Sequence, residues 1–255
     1  MSVFKTGDFA VLIDSKDRRY LEVLDDVGEF HTHHGVVHHS TIIGQPEGTV
    51  VPSTKGGHYT VIRPTLEDFV LRMPRGAQVI YPKDIAHITM LLDIREGDRV
   101  FETGVGSGAL SMGLLRAGAA VVGFEVREDF ASRARKNMTS FLGEDRAARY
   151  DVRIADSYEQ IPEGAFDKVA LDIPEPWRVI AHTPNYLRRG GLLLTYTPSI
   201  TQVQRVHEAL GKDWIDLRTE EVLVRTWHVE GQAVRPDHRM VAHTAFLTVA
   251  RFTGV

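Results

Sequence analysis

The sequence predicts an α/β protein: a Rossmann-like parallel sheet with helices on both faces and a terminal antiparallel hairpin, preceded by a small all-β domain. Three observations support this prediction. From residue 84 onward, β-rich segments alternate with helical segments. The last two β-rich segments have no helix between them, which indicates a hairpin at the sheet edge. Residues 1–65 contain short β-rich runs separated by Gly and Pro, without a sustained helical period.

The first 83 residues divide into a β domain, residues 1–65, and a helix with a linker, residues 66–83. Two hairpins are predicted in the β domain, VLIDSKDRRYLEVL around an Asp-Ser-Lys-Asp turn and TVVPSTKGGHYTVI around Lys-Gly-Gly. PTLEDFVLRM has Pro64 at its start and acids in its first turn, as helices prefer. The Pro- and Gly-bearing segment MPRGAQVIYPKD is the expected domain boundary.

The alternating pattern of residues 84–255 supplies five strands and the helices between them. The expected strands are DRVFETG, AAVVGFEV, YDVRIAD, FDKVALDIP and GGLLLTYTP, and the expected helices are IAHITMLLDI, SMGLLRAG, EDFASRARKNMTSFL, a helix near WRVIAHTPNYL, and SITQVQRVHEAL. The closing hairpin joins IDLRTEEVLVRTWHVEG to MVAHTAFLTVARF through a loop that contains AVRPDHR. This order predicts a single parallel sheet covered on both faces.

Composition excludes several kinds of protein. The chain has 255 residues, 43% of them hydrophobic, with 30 Lys and Arg against 34 Asp and Glu, a formal net charge of −4. The absence of cysteine excludes disulfides, thiolate metal sites and a cysteine nucleophile, and it fits a reducing, cytoplasmic compartment. No apolar run approaches the roughly 20 residues of a membrane span, and MSVFKTGDF is not a signal peptide.

A glycine loop follows the first strand of the parallel sheet and begins a helix. Its sequence is ETGVGSG, residues 102–108, and Glu125 ends the next strand 21 residues after Gly104. Glycines allow a sharp turn and close approach of a ligand to backbone amides. A carboxylate at the second strand end can accept hydrogen bonds from both ribose hydroxyls. These features fit a dinucleotide fold and an S-adenosylmethionine fold equally.

Three further features favour S-adenosylmethionine. Glu102 precedes the loop, where a carboxylate repels a pyrophosphate but can hold a cationic aminoacyl group or orient loop amides. Asp156 ends the third strand, where an adenine amino group needs an acceptor. The predicted terminal hairpin extends the sheet as methyltransferases do.

Asp172 ends the fourth strand and precedes a proline-rich turn, DIPEPW at residues 172–177. In an open parallel sheet this position adjoins the cofactor crevice, so the carboxylate faces the acceptor of the methyl group. The turn is similar to the Asn/Asp-Pro-Pro-aromatic motif of amino-methylating enzymes, in which oxygens grip an exocyclic amine. The alternative is a loop in which the acid caps the next helix.

Five motifs occur together in one order along the chain. They are YPKD (81–84), ETGVGSG (102–108), ALDIPEPW (170–177), ITQV (200–203) and HTAFL (243–247). In this combination nearly the whole chain resembles the tRNA (adenine-58-N1)-methyltransferases of bacteria and archaea. The segments RGAQVIYPKD and AVRP look most like the actinobacterial branch.

The resemblance implies methyl transfer from S-adenosyl-L-methionine to N1 of an adenine in the T loop of tRNA, by a homotetramer in which the β domain contacts RNA. It implies cofactor contacts at eight positions: Gln78, Gly104, Val105, Gly106, Ser107, Gly108, Glu125 and Asp156. Their charge and position add Glu102 and Asp172 to the expected cofactor-binding residues. The resemblance also implies that Asp172 is the catalytic carboxylate. The chain departs from the family pattern at two places: Thr103 replaces the usual Ala, and Ile173-Pro174 replaces a bulkier apolar pair. Because of Pro174, the target base can be adenine 58 or its neighbour adenine 57.

The chemistry of adenine N1 adds two tyrosines to the expected site. N1 carries a lone pair and needs no strong base, whereas the methylated ring is cationic and benefits from a nearby carboxylate. Tyr81 and Tyr196 can wall the pocket or stack on the base; packing alone is the alternative for each. We expect no metal, because the histidines at 31, 33, 34, 38 and 39 match no known ligand spacing, and a patch that gains charge near phosphate suits them better.

A local basic face is expected to reconcile the acidic chain with RNA. Its proposed members are Arg18, Arg19, Lys55, Arg63, Arg72, Arg75 and Lys83, with Arg225 and Arg235 near the terminal hairpin.

Two alternatives to the tRNA enzyme are a methyltransferase of a protein or small molecule, of the isoaspartyl type, and a catalytically silent RNA-binding subunit. The β domain speaks against the first, and the glycine loop with Asp172 against the second.

Overall fold

The chain divides into two units, Met1–Met73 and Pro74–Val255. A computed structural model describes residues 3–76 and 78–254. Helix α1 (Leu66–Arg72) lies in the first unit, and the second unit begins at Pro74, ahead of its expected start at residue 84. The hydroxyl of Thr65 accepts a hydrogen bond from the Asp68 amide and the Asp68 carboxylate accepts one from the Thr65 amide, which fixes the start of α1.

Antiparallel hairpins build the first unit. Its strands are β1 (Phe9–Ile13), β2 (Arg19–Val23), β3 (Glu29–Thr32), β4 (Gly35–His38), β5 (Val50–Pro52) and β6 (His58–Ile62). Four of them form a sheet in the order β2-β1-β6-β5, and β3 pairs with β4 separately. Both predicted hairpins, β1–β2 and β5–β6, are confirmed.

The third hairpin, β3–β4, was missing from the sequence prediction. Its two-residue loop is His33-His34, which lacks the Asn-Gly or Gly-Gly signature of short hairpins. The Thr32 hydroxyl supplies the missing stabilisation, because it donates to the Gly35 carbonyl at 2.9 Å and accepts from the His34 amide at 2.9 Å.

The expected basic face of the first unit is wrong. Residues 1–73 contain seven Lys and Arg against ten Asp and Glu, a formal net charge of −3. Four of the proposed arginines also form ion pairs within this unit: Arg18 with Asp14 at 2.7 Å, Arg19 with Asp68 at 3.0 Å, Arg63 with Asp8 at 3.0 Å and Arg72 with Asp68 at 3.2 Å. Any affinity of this unit for phosphate therefore has to be local.

A seven-stranded sheet organises the second unit. Its strands are β7 (Arg99–Thr103), β8 (Ala120–Glu125), β9 (Tyr150–Ile154), β10 (Phe166–Leu171), β11 (Leu187–Thr197), β12 (Trp214–Glu221) and β15 (Phe246–Phe252), in the order β12-β15-β11-β10-β7-β8-β9. The helices are α2 (Pro82–Leu91), α3 (Ala109–Arg116), α4 (Glu128–Leu142), α5 (Glu144–Ala147), α6 (Pro176–Ile180) and α7 (Ile200–Ala209). Among the described residues, no helix is both long and apolar enough to cross a membrane.

The sheet has the predicted topology. Strands β9, β8, β7, β10 and β11 are parallel, and β15 and β12 continue the sheet antiparallel beyond β11. The connection from β12 to β15 holds a hairpin that the sequence analysis interpreted as part strand and part loop: β13 (Trp227–Glu230) and β14 (Ala233–Pro236). The backbone leaves the sheet after β12 and returns at β15, which divides the predicted long run in two.

Aromatic rings fill the core under the centre of this sheet. Phe101 on β7 is fully buried, with its ring centroid 5.0 Å from Phe124, 5.6 Å from Phe166 and 5.4 Å from Tyr186. These rings join β7 to β8, β10 and the segment before β11. They fix the strands just beneath the ends that carry the candidate site.

Candidate active site

The carboxyl ends of β7 and β10 meet at the point where the strand order reverses. Strands β7, β8 and β9 run outward on one side of this point, and β10 and β11 run outward on the other. Leu171 pairs with Thr103 across it, and the Asp172 amide donates to the Thr103 carbonyl at 2.9 Å. Open α/β sheets bind ligands at such a switch point, so the glycine loop and Asp172 occupy the position that topology favours.

Gly104 allows the two strand ends to touch. Its φ is +83°, and a Cβ built on it would lie 1.8 Å from the Asp172 carbonyl oxygen. No side chain fits there without moving the backbone after β10. Gly106, with φ +55°, has open space where a Cβ would stand, which leaves room for a ligand against the loop backbone.

Glu125 ties the glycine loop to the end of β8. One carboxylate oxygen accepts from the Gly106 amide at 2.9 Å and the other from the Arg127 amide at 3.0 Å, and the residue is 7% exposed. Each oxygen keeps a second lone pair for a ligand. The strand end after β8 thus holds an oriented acceptor beside the loop.

Ser107 carries a buried hydroxyl without a partner in the described structure. Its side-chain oxygen has no hydrogen bond, although the residue is only 4% exposed. Buried polar groups are nearly always satisfied, so this oxygen fits a polar group of a bound ligand. The open space at Gly106 and the free hydroxyl at Ser107 together fit a cofactor cradled by the loop.

Glu102 lies beneath the loop and faces α3. It is 2% exposed and accepts a hydrogen bond from the Ser111 hydroxyl at 2.6 Å. Burial raises the pKa of Glu102 to about 8. The Ser111 hydrogen bond lowers this pKa, and the charge of Asp172 raises it further. Its cofactor contact stays a prediction, and its visible role is to join β7 to α3.

Asp156 follows β9 and lies in a chain of polar contacts that reaches the loop after β10. Its carboxylate accepts from the Tyr158 amide at 2.8 Å, and the Tyr158 hydroxyl accepts from the Glu175 amide at 2.9 Å. The next residue, Ser157, accepts a buried hydrogen bond from Thr103 at 2.9 Å. The exchange of the usual Ala for Thr103 therefore adds a link between the ends of β7 and β9.

A cavity of about 410 Å³ brings together four predicted residues, Gln78, Tyr81, Asp172 and Tyr196. Burial and then the charge of Glu125 raise the pKa of Asp172 to about 7. Burial, with the charge of Asp84, also raises the pKa of Tyr196, so its hydroxyl keeps its proton at physiological pH. A titratable carboxyl between two tyrosines is an arrangement that can hold and polarise a flat ring.

The sequence analysis missed one wall of this cavity. Val241, His243 and Thr244, from the segment before β15, line it beside the tyrosines. The His243 ring contacts Glu221 at 2.7 Å and the Pro198 carbonyl at 2.9 Å, and these acceptors raise its pKa. The HTAFL motif covers His243 and Thr244, but nothing in its composition reveals that they face the site. Lys83, expected on a basic surface, is buried instead, with a side chain 9% exposed.

Comparisons with known proteins agree over nearly the full chain. A family model described as the GCD14 subunit of the tRNA methyltransferase complex matches residues 57–235, and a TrmI-like N-terminal model matches residues 3–51. TrmI of Thermus thermophilus, a tRNA (adenine(58)-N(1))-methyltransferase, is 36% identical over 94% of this chain and 95% of its own length. TrmI of Methanocaldococcus jannaschii, named for adenines 57 and 58, is 34% identical over 95% and 94%.

The chain belongs to the tRNA (adenine-N1)-methyltransferase family.

Solved structures confirm the fold of this family in the chain. Aquifex aeolicus tRNA (m1A58) methyltransferase TrmI superposes with a TM-score of 0.87 at 30% identity, covering 98% of this chain and 99% of that one. A Thermotoga maritima structure titled SAM-dependent O-methyltransferase gives a TM-score of 0.93 at 32% identity, covering 98% and 95%. The predicted resemblance and the Rossmann-like methyltransferase sheet are therefore both confirmed.

Family membership separates the alternatives left open by the sequence. The family and its fold imply use of S-adenosylmethionine, not of a dinucleotide. A Cryptococcus neoformans relative, 31% identical over 87% of this chain and 53% of its own length, is named as a catalytic subunit rather than a silent one. No group of three or more metal-ligating side chains suited to a metal ion occurs within residues 3–76 and 78–254.

Proposed function

We propose that this protein transfers a methyl group from S-adenosylmethionine to N1 of adenine 58 in the T loop of tRNA, with adenine 57 as a second target, in the cytoplasm. The observation that carries the proposal is the meeting of Asp172, Tyr81 and Tyr196 in one cavity beside the glycine loop. Relatives that match almost the full chain and bear this activity in their names support it.

Asp172 has the role that the chemistry of adenine requires. The base leaves its stack to enter the cavity, at a cost of a few kcal/mol, and Tyr81 and Tyr196 offer ring faces and edges to receive it. The bound cofactor supplies the electrophilic methyl group. As N1 acquires positive charge, an ionised Asp172 accepts the hydrogen bond of the N6 amine, fixes the ring and stabilises the cation.

Asp172→Ala is expected to lower the single-turnover rate about 10²-fold or more, because one preorganised electrostatic partner is worth about 2.7–4 kcal/mol. Most of the tRNA affinity should remain. Mass spectrometry of nucleosides from unmodified tRNA measures the 1-methyladenosine formed and maps its position. Formation of 1-methyladenosine at the wild-type rate by the variant, or of none by the wild type, would contradict the assignment.

Asp172→Asn is expected to show an intermediate rate, since the amide keeps an acceptor oxygen but loses the charge. The raised pKa of Asp172, about 7, adds a pH signature. Below this pKa the carboxyl is neutral, so the wild-type rate should rise as the pH passes through about 7 and then level off. The Asn variant should lack this step; the same step in both proteins would assign the titration to another group.

The glycine loop and Glu125 are proposed to bind S-adenosylmethionine without RNA. Gly106 leaves space at the loop, Ser107 presents a free hydroxyl, and Glu125 presents lone pairs toward the ribose hydroxyls. Asp156 is proposed as the acceptor for the adenine amine. Gln78 lies in the cavity wall with Asp172, where the methionine group is expected.

Glu125→Ala is expected to weaken S-adenosylmethionine binding by about 1.5–3 kcal/mol, the value of hydrogen bonds to a charged group. Calorimetry on the protein without tRNA measures this loss. Glu128→Ala is the matched control, because Glu128 is an exposed acid three residues further on. Equal losses in both variants, or tighter binding of NAD than of S-adenosylmethionine, would overturn the cofactor assignment.

The first unit is proposed to contact tRNA through a cleft rather than a basic face. The cleft has a volume of about 360 Å³ and is lined by the rings of Tyr20, Phe30 and Tyr59, by Arg18, and by histidines 31, 33 and 34. Phe30 and Tyr59 belong to the core, so half-buried Tyr20 is the aromatic group that an unpaired nucleotide could reach. An aromatic group next to cationic side chains is the combination that holds unpaired nucleotides. The histidines add positive charge when a phosphate raises their proton affinity.

Arg18→Ala is expected to weaken tRNA binding and to reduce the slope of log affinity against log salt by about 1, because one phosphate contact is lost. Lys16→Ala is the control: it removes the same charge from the same turn, but Lys16 does not line the cleft. Filter binding at several salt concentrations measures both. Parallel changes in the two variants would show only a general charge effect.

A homotetramer is proposed, and the β13–β14 hairpin supports it. One hairpin face is apolar, since Val229 pairs with Val234 and Trp227 pairs with Pro236. Trp227, Val229 and Val234 are 58%, 70% and 59% exposed, although an isolated two-stranded hairpin is only marginally stable in water. A second copy of the chain would cover this face.

Trp227→Asp with Val229→Asp should dissociate the oligomer and reduce tRNA methylation, because one subunit presents too small a surface for a tRNA. Light scattering measures the mass, and the matched control changes the polar hairpin face, His228→Ala with Glu230→Ala. A fully active wild-type monomer would refute the oligomer proposal.

A further inference from the structure

A buried ion pair lies at the start of α2, and neither of its members lines the cavity. Asp84 is fully buried, and the Lys83 ammonium donates to its carboxylate at 2.8 Å. The same ammonium donates to the Val222 carbonyl at 2.8 Å and to the Thr244 hydroxyl at 2.7 Å, which uses all three of its N–H groups. The Thr244 hydroxyl in turn donates a hydrogen bond to the other Asp84 carboxylate oxygen at 2.7 Å, which closes the network.

The network fastens both ends of one segment. Val222 directly follows β12 and Thr244 lies two residues before the start of the last strand, so residues 222–244 form most of the connection that carries the β13–β14 hairpin. Val241, His243 and Thr244 at the end of this connection line the cavity. A single ammonium therefore sets where the connection leaves the sheet and where it returns beside the candidate site.

Asp84 also lies behind both tyrosines. Tyr81 is the residue before α2, and its carbonyl accepts from the Asp84 amide at 2.9 Å. The Tyr196 hydroxyl points at the Asp84 carboxylate from 3.5 Å. Two parts of the cavity wall, Tyr196 and Thr244, thus converge on the carboxylate of Asp84, and a third, Tyr81, is held by the backbone amide of the same residue.

Stability alone does not explain these charges. Buried ion pairs lose much of their attraction to desolvation, and apolar replacements of similar volume are often neutral or stabilising. What an ion pair with three further directed hydrogen bonds adds is a unique arrangement of the groups around it. We propose that Asp84 and Lys83 are positioning residues for methyl transfer: they hold Thr244, Tyr196 and the 222–244 connection in the geometry that receives the target adenine. This inference rests on the proposed function.

The double variant Lys83→Met with Asp84→Leu separates positioning from folding. We expect its melting temperature to stay near that of the wild type and its KM for S-adenosylmethionine to stay within about twofold, because the glycine loop is untouched. We expect kcat to fall about 10- to 100-fold, the effect of misplaced groups in a reacting complex. Hydrogen exchange of the backbone amides of residues 222–244 should become faster. Asp151→Asn, at an exposed ion pair with Arg153, is the control.

Thr244 provides a second test if the double variant does not fold. Thr244→Val keeps the shape and removes the hydroxyl, so it should reproduce the loss in kcat and the faster exchange, whereas Thr244→Ser should restore both. Wild-type kcat and unchanged exchange in Thr244→Val would overturn the inference. A wild-type protein that makes no 1-methyladenosine would instead refute the proposed function, and the exchange measurement would still decide whether the network fastens the connection.

Discussion

The contact between Gly104 and the carbonyl of Asp172 is the constraint on which the candidate site depends. A Cβ at Gly104 would stand 1.8 Å from that oxygen, so the backbone after β7 touches the backbone after β10 only because glycine is there. The contact joins the glycine loop after β7 to the strand end that carries Asp172, the two parts of the candidate site. The aromatic core around Phe101 keeps the two strands beneath it in register.

Around this contact the protein gathers three carboxyl groups, those of Glu102, Glu125 and Asp172, whose charges interact. Burial raises the pKa values of Glu102 and Asp172 to about 8 and about 7, and each carboxyl feels the charge of its neighbours, Glu125 among them. Such a cluster is unfavourable in the free protein and favourable beside a positive ligand. The sulfonium and ammonium groups of S-adenosylmethionine and the methylated adenine ring are all cationic. The electrostatics therefore suit the ligands at both ends of the proposed reaction.

The sequence predicts those elements whose conformation depends mainly on residues close together in the chain. The alternation of strands and helices, the glycine loop and the carboxylates at the strand ends all follow from such signals, and Asp172 meets Tyr81 and Tyr196 in one cavity as expected. What the sequence could not reveal depends on distant contacts. Lys83 was expected at the surface because a lone lysine usually is, but partners at Val222 and Thr244 bury it. The β3–β4 hairpin was not predicted because the Thr32 hydroxyl stabilises its turn in place of the usual Asn-Gly or Gly-Gly residues. The basic face failed because the first unit has more carboxylates than cations and pairs Arg19 and Arg63 with carboxylates that are distant in sequence, whereas Arg18 stays exposed beside its partner Asp14.

The fastening of residues 222–244 at both ends has a consequence for how this protein can change. Hydrogen bonds from one ammonium hold both ends of this connection. The entropic cost of closing such a loop rises only slowly with the number of residues between its ends. The turn between β13 and β14 can then lengthen or acquire a new sequence without moving the cavity wall or the apolar face of the hairpin. Selection can remodel the outer part of this connection while the chemistry stays fixed, and a protein engineer can graft a foreign peptide between β13 and β14 for the same reason.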